Sequence, residues 1–289
     1  MIYILSANDY EDASKNYGDC IVFIENGTAI VYDCGSQEHA ERVIELLDEN
    51  GIDEATVILS HNDDDHFRGI PSLIEKGRVK ELFTVLLLKY KHELLDAIDD
   101  GRRKEDSIGD TIKELYDNIA SLSGTVVLKD VFADEDDLPS NVVRVGPDFD
   151  YMIAAAAKGI DSREGDTIDK ERVVNAASVQ IKLIFGSSTI LLTGDCAPAA
   201  IPEDVDLTSY DYIQLPHHGK PALAKDIFER ADDNIDITYI VSDNTGSSNG
   251  GSDNRAYKGH KYKNTRTDGD ICLNDNVSKS AYTGRTLGI

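Results

Sequence analysis

Ser60-His61-Asn62-Asp63-Asp64-Asp65-His66-Phe67-Arg68-Gly69 is the stretch from which the fold can be read. It follows residues 55–59, a short apolar run with the character of a buried strand, so its imidazoles and carboxylates leave that strand at the carboxyl end. Crowded together, these groups would repel or stay solvated, whereas a divalent cation turns the same crowding into chelation. An acidic surface loop carrying two histidines is the plainer alternative. Two other strand-like runs weigh against it, because Thr193-Gly194-Asp195 and Leu215-Pro216-His217-His218-Gly219 also end in ligand-type residues. Three loop ends, distant along the chain, are therefore expected to meet around an ion.

The spacing His61-x-Asp63-x-Asp65-His66 resembles the H-x-H-x-D-H loop of the metallo-β-lactamase fold, with aspartate at the third position. Asp33-Cys34-Gly35, Leu191-Leu192-Thr193-Gly194-Asp195 and the His-His-Gly extend the resemblance over most of the chain. Within that superfamily the chain looks closest to the hydrolase domain of competence-type DNA-uptake proteins, ComEC-like. Those share the aspartate variant, an N-x-x-S before the Leu-Leu-Thr-Gly-Asp strand (here Asn175 and Ser178) and a Pro-His-His-Gly.

The resemblance implies one αββα sandwich over residues 1–289. It implies that His61 and Asp63 bind a first metal, that Asp65 and His66 bind a second, that Asp195 bridges and that His217 completes the second site. His218 would be a nearby ligand or proton donor, and Asp33 would support the loop from behind. The superfamily usually supplies another histidine between the loop and the bridging aspartate. His92 is the one histidine in that interval, and residues 89–95 read as a surface helix, so the first site is short of donors unless Asn175 fills it. One or two divalent ions are thus expected. Zn2+ is the superfamily's default, and carboxylate in place of imidazole also suits Mn2+ or Mg2+.

With 29 basic and 54 acidic residues the net charge is −25, which disfavours wrapping nucleic acid over the general surface, since that binding is driven by phosphate neutralisation. Cys20, Cys34, Cys196 and Cys272 lack C-x-x-C spacing, so no disulfide framework is expected and a reducing cytoplasm fits. Cys196 reads as a small buried residue and not as a thiolate ligand. No signal peptide is read at the N-terminus, and no run approaches the roughly twenty apolar residues that span a bilayer. A free-standing version of the domain, without membrane contact, is expected.

Strands are expected at residues 2–5, 82–88, 151–157, 177–185, 189–193, 210–215 and 237–242, and in a hairpin of 20–25 with 28–32 about Asn26-Gly27. Helices are expected at 38–50, 70–76, 90–100, 106–122 and 221–231. Residues 96–150 read as a helical, acidic insertion, 130–150 and 158–172 as acidic loops, and 244–253 as a mobile loop. His39 is expected to face solvent.

Between residues 255 and 266 lie Arg255, Lys258, Lys261, Lys263 and Arg266, with His260, Tyr257 and Tyr262 and no acid. Near the metals these would clamp phosphate oxygens while the tyrosines stack on a base or sugar. Elsewhere they would pair with the protein's own acidic surface. Thr265-Arg266-Thr267-Asp268-Gly269 resembles the closing segment of ComEC-like domains at the active-site mouth. The expected activity is therefore metal-dependent hydrolysis of phosphodiester bonds, as a phosphodiesterase or nuclease, by metal-bound hydroxide. Asp65 counts with the catalytic residues, and His218 or His260 would give a proton to the leaving oxygen. The substrate would be a nucleic-acid strand or a small nucleotide, with Asn175 and the five basic residues of the stretch as substrate-binding candidates. Two rivals stand beside this reading: hydrolysis of a carboxylic ester, thioester or lactam, and a weakly active or inactive regulatory subunit that works with a protein partner or as a homo-oligomer.

Overall fold

The computed structural model describes residues 1–12, 15–98, 105–115, 117–162, 167–232, 236–249 and 251–274. The chain opens with β1 (Ile2–Ile4) and the hairpin β2 (Cys20–Glu25) and β3 (Thr28–Cys34), then passes through α1 (Gln37–Glu49) to β4 (Ala55–Ile58). The short α2 (Asp64–Phe67) and α3 (Ile70–Glu75) lead to β5 (Val79–Thr84). Next come α4 (Lys91–Ile98), α5 (Glu105–Leu115), α6 (Asp117–Ser121), β6 (Leu128–Asp130), β7 (Val142–Gly146) and α7 (Phe149–Ser162). A small hairpin, β8 (Thr167–Ile168) and β9 (Glu171–Arg172), precedes α8 (Val173–Ala176), β10 (Gln180–Phe185), β11 (Ser188–Leu192) and β12 (Tyr212–Gln214). The last elements are α9 (Pro216–Gly219), α10 (Pro221–Arg230), β13 (Thr238–Val241), β14 (Lys261–Asn264), α11 (Thr265–Asp268) and β15 (Ile271–Leu273).

These elements form a mixed α/β fold in four layers, the expected αββα sandwich. One sheet runs β15-β1-β2-β3-β4-β5-β6 and the other β14-β13-β12-β11-β10-β7. The layering follows from strands that are apolar on both faces. In β2 and β3, Cys20, Val22 and Val31 turn toward α1 and α3, where Val43, Leu46, Leu47, Ile70 and Leu73 lie. The alternate residues Ile21, Phe23, Ile30 and Tyr32 meet Ile181, Leu183, Ile190 and Leu192 of the second sheet. Leu191, Ile213 and Tyr239 of that sheet then bury the α10 side chains Ala224, Ile227 and Phe228 on its outer side. Each Val, Leu, Ile or Phe among them contributes roughly 1.5–3 kcal/mol when removed from water. The face assignment is thus strongly fixed, because a one-residue register slip would exchange the two cores.

The expected strand at 151–157 is instead part of α7. Its apolar run contains four alanines, the strongest helix formers. Met152, Ile153, Ala156, Ala157 and Ile160 form one stripe that packs on Leu94, Ile108 and Ile112 of α4 and α5. A short apolar run does not by itself distinguish strand from buried helix. The expected strand at 82–88 ends at Thr84. There the Asp130 carboxylate accepts hydrogen bonds from Leu86 N–H and from the Phe132 and Ala133 N–H groups, which turns the chain out of the sheet. Residues 96–150 add an edge strand to each sheet, β6 and β7, besides their helices, so they are more than a separate insertion. The parts of the expected helices and loops that fall on 99–104, 116, 163–166 and 250 lie outside the described residues.

His39 also departs from expectation. It sits in the first turn of α1, whose Ser36 N-cap hydroxyl accepts from the His39 N–H at 3.0 Å. Its ring is fully buried, edge-on to Tyr10 at 5.4 Å, and neither ring nitrogen has a hydrogen-bond partner among the described residues. Burial pulls its pKa down to about 4. An unfolded chain takes up this proton near pH 6.5 and the folded one does not, so stability is fully present above that pH and falls as the pH drops toward 4. The shift corresponds to about 3 kcal/mol. His39→Leu is therefore expected to flatten the acid limb of the stability curve between pH 6.5 and 4 by about that amount, as measured by urea unfolding across pH. An unchanged limb would show that another group causes it.

Candidate metal centre

Both sheets present the carboxyl ends of their parallel strands to one edge, where open α/β sheets collect ligands. Ser60 and His61 follow β4, Asp33 closes β3, Asp195 follows β11, and His217 and His218 follow β12. Glycine permits the close approach. A Cβ at Gly194 (φ +53) would stand 2.8 Å from Ser60 Oγ, and one at Gly18 (φ +74) would stand 1.6 Å from the Asp65 carbonyl oxygen. The Asp19 N–H donates to that same oxygen, and Val179 N–H to the Ser60 carbonyl, which ties the loop before β2 and the start of β10 to the metal-loop segment. His217 (φ 50, ψ 61) and His218 (φ 53, ψ 26) are both left-handed. Such a conformation costs roughly 1–2 kcal/mol per residue and here aims two adjacent imidazoles into one site. The buried Tyr257 hydroxyl, donating to the Gly219 carbonyl, braces this turn.

His61, His66 and Asp195 offer ligand atoms that all lie within 4.8 Å of one another, as do Asp65, His66 and His218, and also Asp19, Asp195 and His218. His66 Nε2 lies 3.3 Å from Asp195 Oδ1 and His218 Nε2 lies 3.2 Å from Asp65 Oδ2. The Nδ1 atoms are engaged from behind. That of His66 donates to Asp33 at 2.7 Å, that of His217 to Glu171 at 2.7 Å, and that of His218 to Asp19 and the Ser242 carbonyl at 3.0 Å. His61 Nδ1 faces the Ser60 and Ser178 hydroxyls, whose own protons go to Asp33 and the Asn175 carbonyl. Nδ1 must then carry the proton, and Nε2 keeps its lone pair. This carboxylate- or hydroxyl-backed arrangement is the one by which proteins orient metal-binding histidines. His61 Nε2 is buried without a hydrogen-bond partner among the described residues, a cost of roughly 1–3 kcal/mol that a bound cation would remove, while His66 Nε2 and Asp195 Oδ1 face each other at 3.3 Å. The donor set of imidazole and carboxylate fits a divalent ion.

The charges are strongly coupled. Burial pushes His61 down to about 3, helped by neighbouring His66. For His66, burial pulls down but Asp195 and Asp33 outweigh it and hold the ring well above its ordinary pKa. His218 is raised likewise, against burial, by Asp195 and Asp19. Burial alone would raise Asp65 and Asp195, yet the surrounding imidazoles keep both below the usual carboxylate range.

Of the residues singled out in the sequence, the structure gathers His61, Asp65, His66, Asp195 and His218, with Asp33 behind. Asp63 stands apart, its Oδ2 paired with Arg172 at 2.9 Å. His217, expected as the ligand, approaches Asp195 only to 3.8 Å and belongs to none of the 4.8 Å groups, whereas His218 joins two of them. Asn175 donates to Asp195 Oδ2 at 3.2 Å. His260 stacks on Phe228 at 3.7 Å, edge-on to Tyr239 in the middle of β13, and so serves the α10 face instead of the site. Arg255 turns to Asp253. Lys261 and Lys263 lie exposed on the edge strand β14, where lysines discourage pairing with another sheet, and Lys258 is exposed beside it. Arg266 lies 3.7 Å from the Asp243 carboxylate. His92 is exposed near Asp96, and Arg68 pairs with Asp64. Two acids went unnoticed in the sequence, Asp19 behind His218 and Glu171 behind His217. The glycine before Asp19 at a strand start was a usable signal; Glu171, inside an acidic run, offered none.

The sequence profile of the metallo-beta-lactamase superfamily matches residues 14–148, which include the His61 to His66 loop. Similar solved structures include the short form of human tRNase Z, 11% identical over 95% of this chain and 100% of that one, with a TM-score of 0.45. Zn2+-bound PqqB from Methylobacterium extorquens is 13% identical over 94% and 100% (TM-score 0.46), and the metallo-beta-lactamase fold protein YhfI from Bacillus subtilis is 11% identical over 83% and 86% (TM-score 0.44). No curated protein matches the chain. Helices flanking two facing sheets, with this profile match over the first of them, are consistent with the fold of the metallo-beta-lactamase superfamily.

Proposed function

We propose that the chain is a metal-dependent hydrolase whose favoured substrates are small phosphodiesters such as nucleotides. The observation that carries this reading is the gathering of His61, Asp65, His66, Asp195 and His218, each imidazole backed at Nδ1, into overlapping groups of three whose ligand atoms lie within 4.8 Å of one another. A divalent cation held there, Zn2+ or the harder Mn2+ or Mg2+, would supply Lewis acidity and lower the pKa of water from about 15.7 toward roughly 7. The chain's own residues do the rest. Asp33, Asp19 and Ser178 hold the imidazoles, and Asn175 holds Asp195. His217, outside the ligand groups and paired with Glu171, is placed to hand a proton to the leaving oxygen, which exchanges the roles expected for His217 and His218. Arg172 uses one of its five N–H donors on Asp63 at the mouth, and the others suit a phosphoryl oxygen.

A nucleic-acid strand is the less favoured substrate, since Lys258, Lys261 and Lys263 lie along the β14 edge and make no contact with the cluster. That same placement favours a second reading, hydrolysis of a carboxylic ester, thioester or lactam. The open cleft of about 500 Å3 in front of the site is lined by Asp63, Asp64, Asp65 and Glu114 against Arg172, which suits a substrate of low negative charge. Kinship with ComEC-like hydrolase domains is proposed from the roles of Asn175 and Ser178 and the strained Pro-His-His-Gly turn. Four unpaired thiols and no described helix long and apolar enough to cross a membrane accord with a cytoplasmic setting.

The test is hydrolysis of bis(p-nitrophenyl) phosphate, a cyclic dinucleotide, single-stranded DNA and RNA, and p-nitrophenyl acetate by chain loaded with Zn2+, Mn2+ or Mg2+. Diester cleavage that EDTA and His66→Ala both abolish is expected. Cleavage of the acetate alone would move the assignment to acyl substrates, and a chain that binds no metal and cleaves nothing would leave the regulatory-subunit reading.

A further inference from the structure

We propose that Arg172 stands in for a second cation at Asp63, so that the centre takes one divalent ion and this guanidinium sets the stoichiometry. The inference rests on the cluster being a metal centre and goes beyond that reading. The strand β9 is two residues long and its side chains diverge. Glu171 is buried and accepts from His217 Nδ1 at 2.7 Å and from Lys220 Nζ at 2.8 Å. Arg172 reaches the other way, with Nη1 at 2.9 Å from Asp63 Oδ2. One strand thus pins the two residues, His217 and Asp63, that flank the cluster without joining it.

The groups His61, His66 and Asp195 and Asp65, His66 and His218 share His66, whose Nδ1 is taken by Asp33, so its one free ring nitrogen can serve a single ion. His61, Asp65, His66, Asp195 and His218 all supply atoms to the 4.8 Å groups, and Asp63 supplies none. A guanidinium keeps its charge at every physiological pH, so the charge on Asp63 is matched by one that does not titrate. A second dication at Asp63 would have to displace this side chain or bind against its repulsion. The Arg172 side chain is 59% exposed, so its replacement leaves the core untouched.

The experiment counts metal and does not depend on turnover. The full chain, Arg172→Met, Arg172→Lys and the double variant Arg172→Met with Asp63→Asn are dialysed against Zn2+ or Mn2+. Ions per chain are then measured by elemental mass spectrometry and by calorimetric titration. One ion is expected in the unaltered chain, in Arg172→Lys and in the double variant. Two are expected in Arg172→Met, the second at least tenfold weaker than the first. Two ions in the unaltered chain, or one in Arg172→Met with unchanged melting behaviour, would overturn the inference. A chain that binds none would sink the metal centre together with it, whereas the one-to-two change would uphold the inference even if every hydrolysis assay failed.

Discussion

Asp195→Asn should remain folded and lose its metal ion together with all hydrolysis above background. Asp195 belongs to two of the ligand groups, one with His61 and His66 and one with Asp19 and His218, so together with His66 it joins the two halves of the site. It also joins the two sheets, since His66 comes from the first and Asp195 from the second. Asparagine keeps the volume and can still accept from Asn175 Nδ2, 3.2 Å away, but it removes the negative charge facing three imidazoles. Residues that merely support a ligand cost about 10–100-fold in metal affinity, so removing the shared ligand should cost on the order of 10³-fold or more. Calorimetric titration with Zn2+ and metal content after dialysis measure this directly. A variant that keeps one tightly bound ion would place the ion elsewhere.

Local chemistry made the sandwich readable in the sequence. Asn26-Gly27, with Asn26 at φ 50, announced the β2–β3 hairpin, and apolar residues at helical spacing announced α1, which buries Val43, Leu46 and Leu47. His61, Asp65 and His66 stood out because a crowd of like groups at a strand end is costly without a counter-charge, Asp195 because it ends another strand-like run, and Asp33 through the family resemblance alone. What failed to show was whatever depends on direction. His217 and His218 are adjacent in sequence and equal in chemistry, and only their consecutive left-handed backbone decides which ring meets Asp65 and which meets Glu171.

The basic stretch failed for a related reason. Charge counts along a chain carry no information on which edge of a sheet bears them, and β14 carries Lys261 and Lys263 on the outermost strand of its sheet, with His260 turned onto Phe228. Arg172, in an acidic run that read as a loop, turned out to be the cation at the mouth. His39 shows the converse error. A histidine in the first turn of an amphipathic helix looks solvent-facing until Tyr10, from the segment before β2, folds over it.

The second large effect is expected at a residue that touches no substrate. Asp33 is fully buried at the end of β3 and accepts from the Ser60 N–H and O–H at 2.7 Å and from His66 Nδ1 at 2.7 Å. Asp33→Ala strands all three donors, and at roughly 1–3 kcal/mol for each the folded chain should lose on the order of 3–5 kcal/mol. It also frees His66 to turn and to change tautomer, and metal affinity should fall by about 10–100-fold. Burial pushes the Asp33 carboxyl up, and His66 and Ser60 offset this in part by holding its oxygens. Asp33→Asn, which retains one acceptor and tolerates the left-handed backbone at φ 58, should therefore recover part of the stability while metal binding stays weakened. Urea unfolding with EDTA separates the folding term, and unfolding with added Zn2+ gives the binding term through linkage. If Asp33→Ala unfolds within 1 kcal/mol of the unaltered chain and binds metal equally well, then His66 is oriented by something other than Asp33, and the backing proposed for the other histidines loses its strongest case.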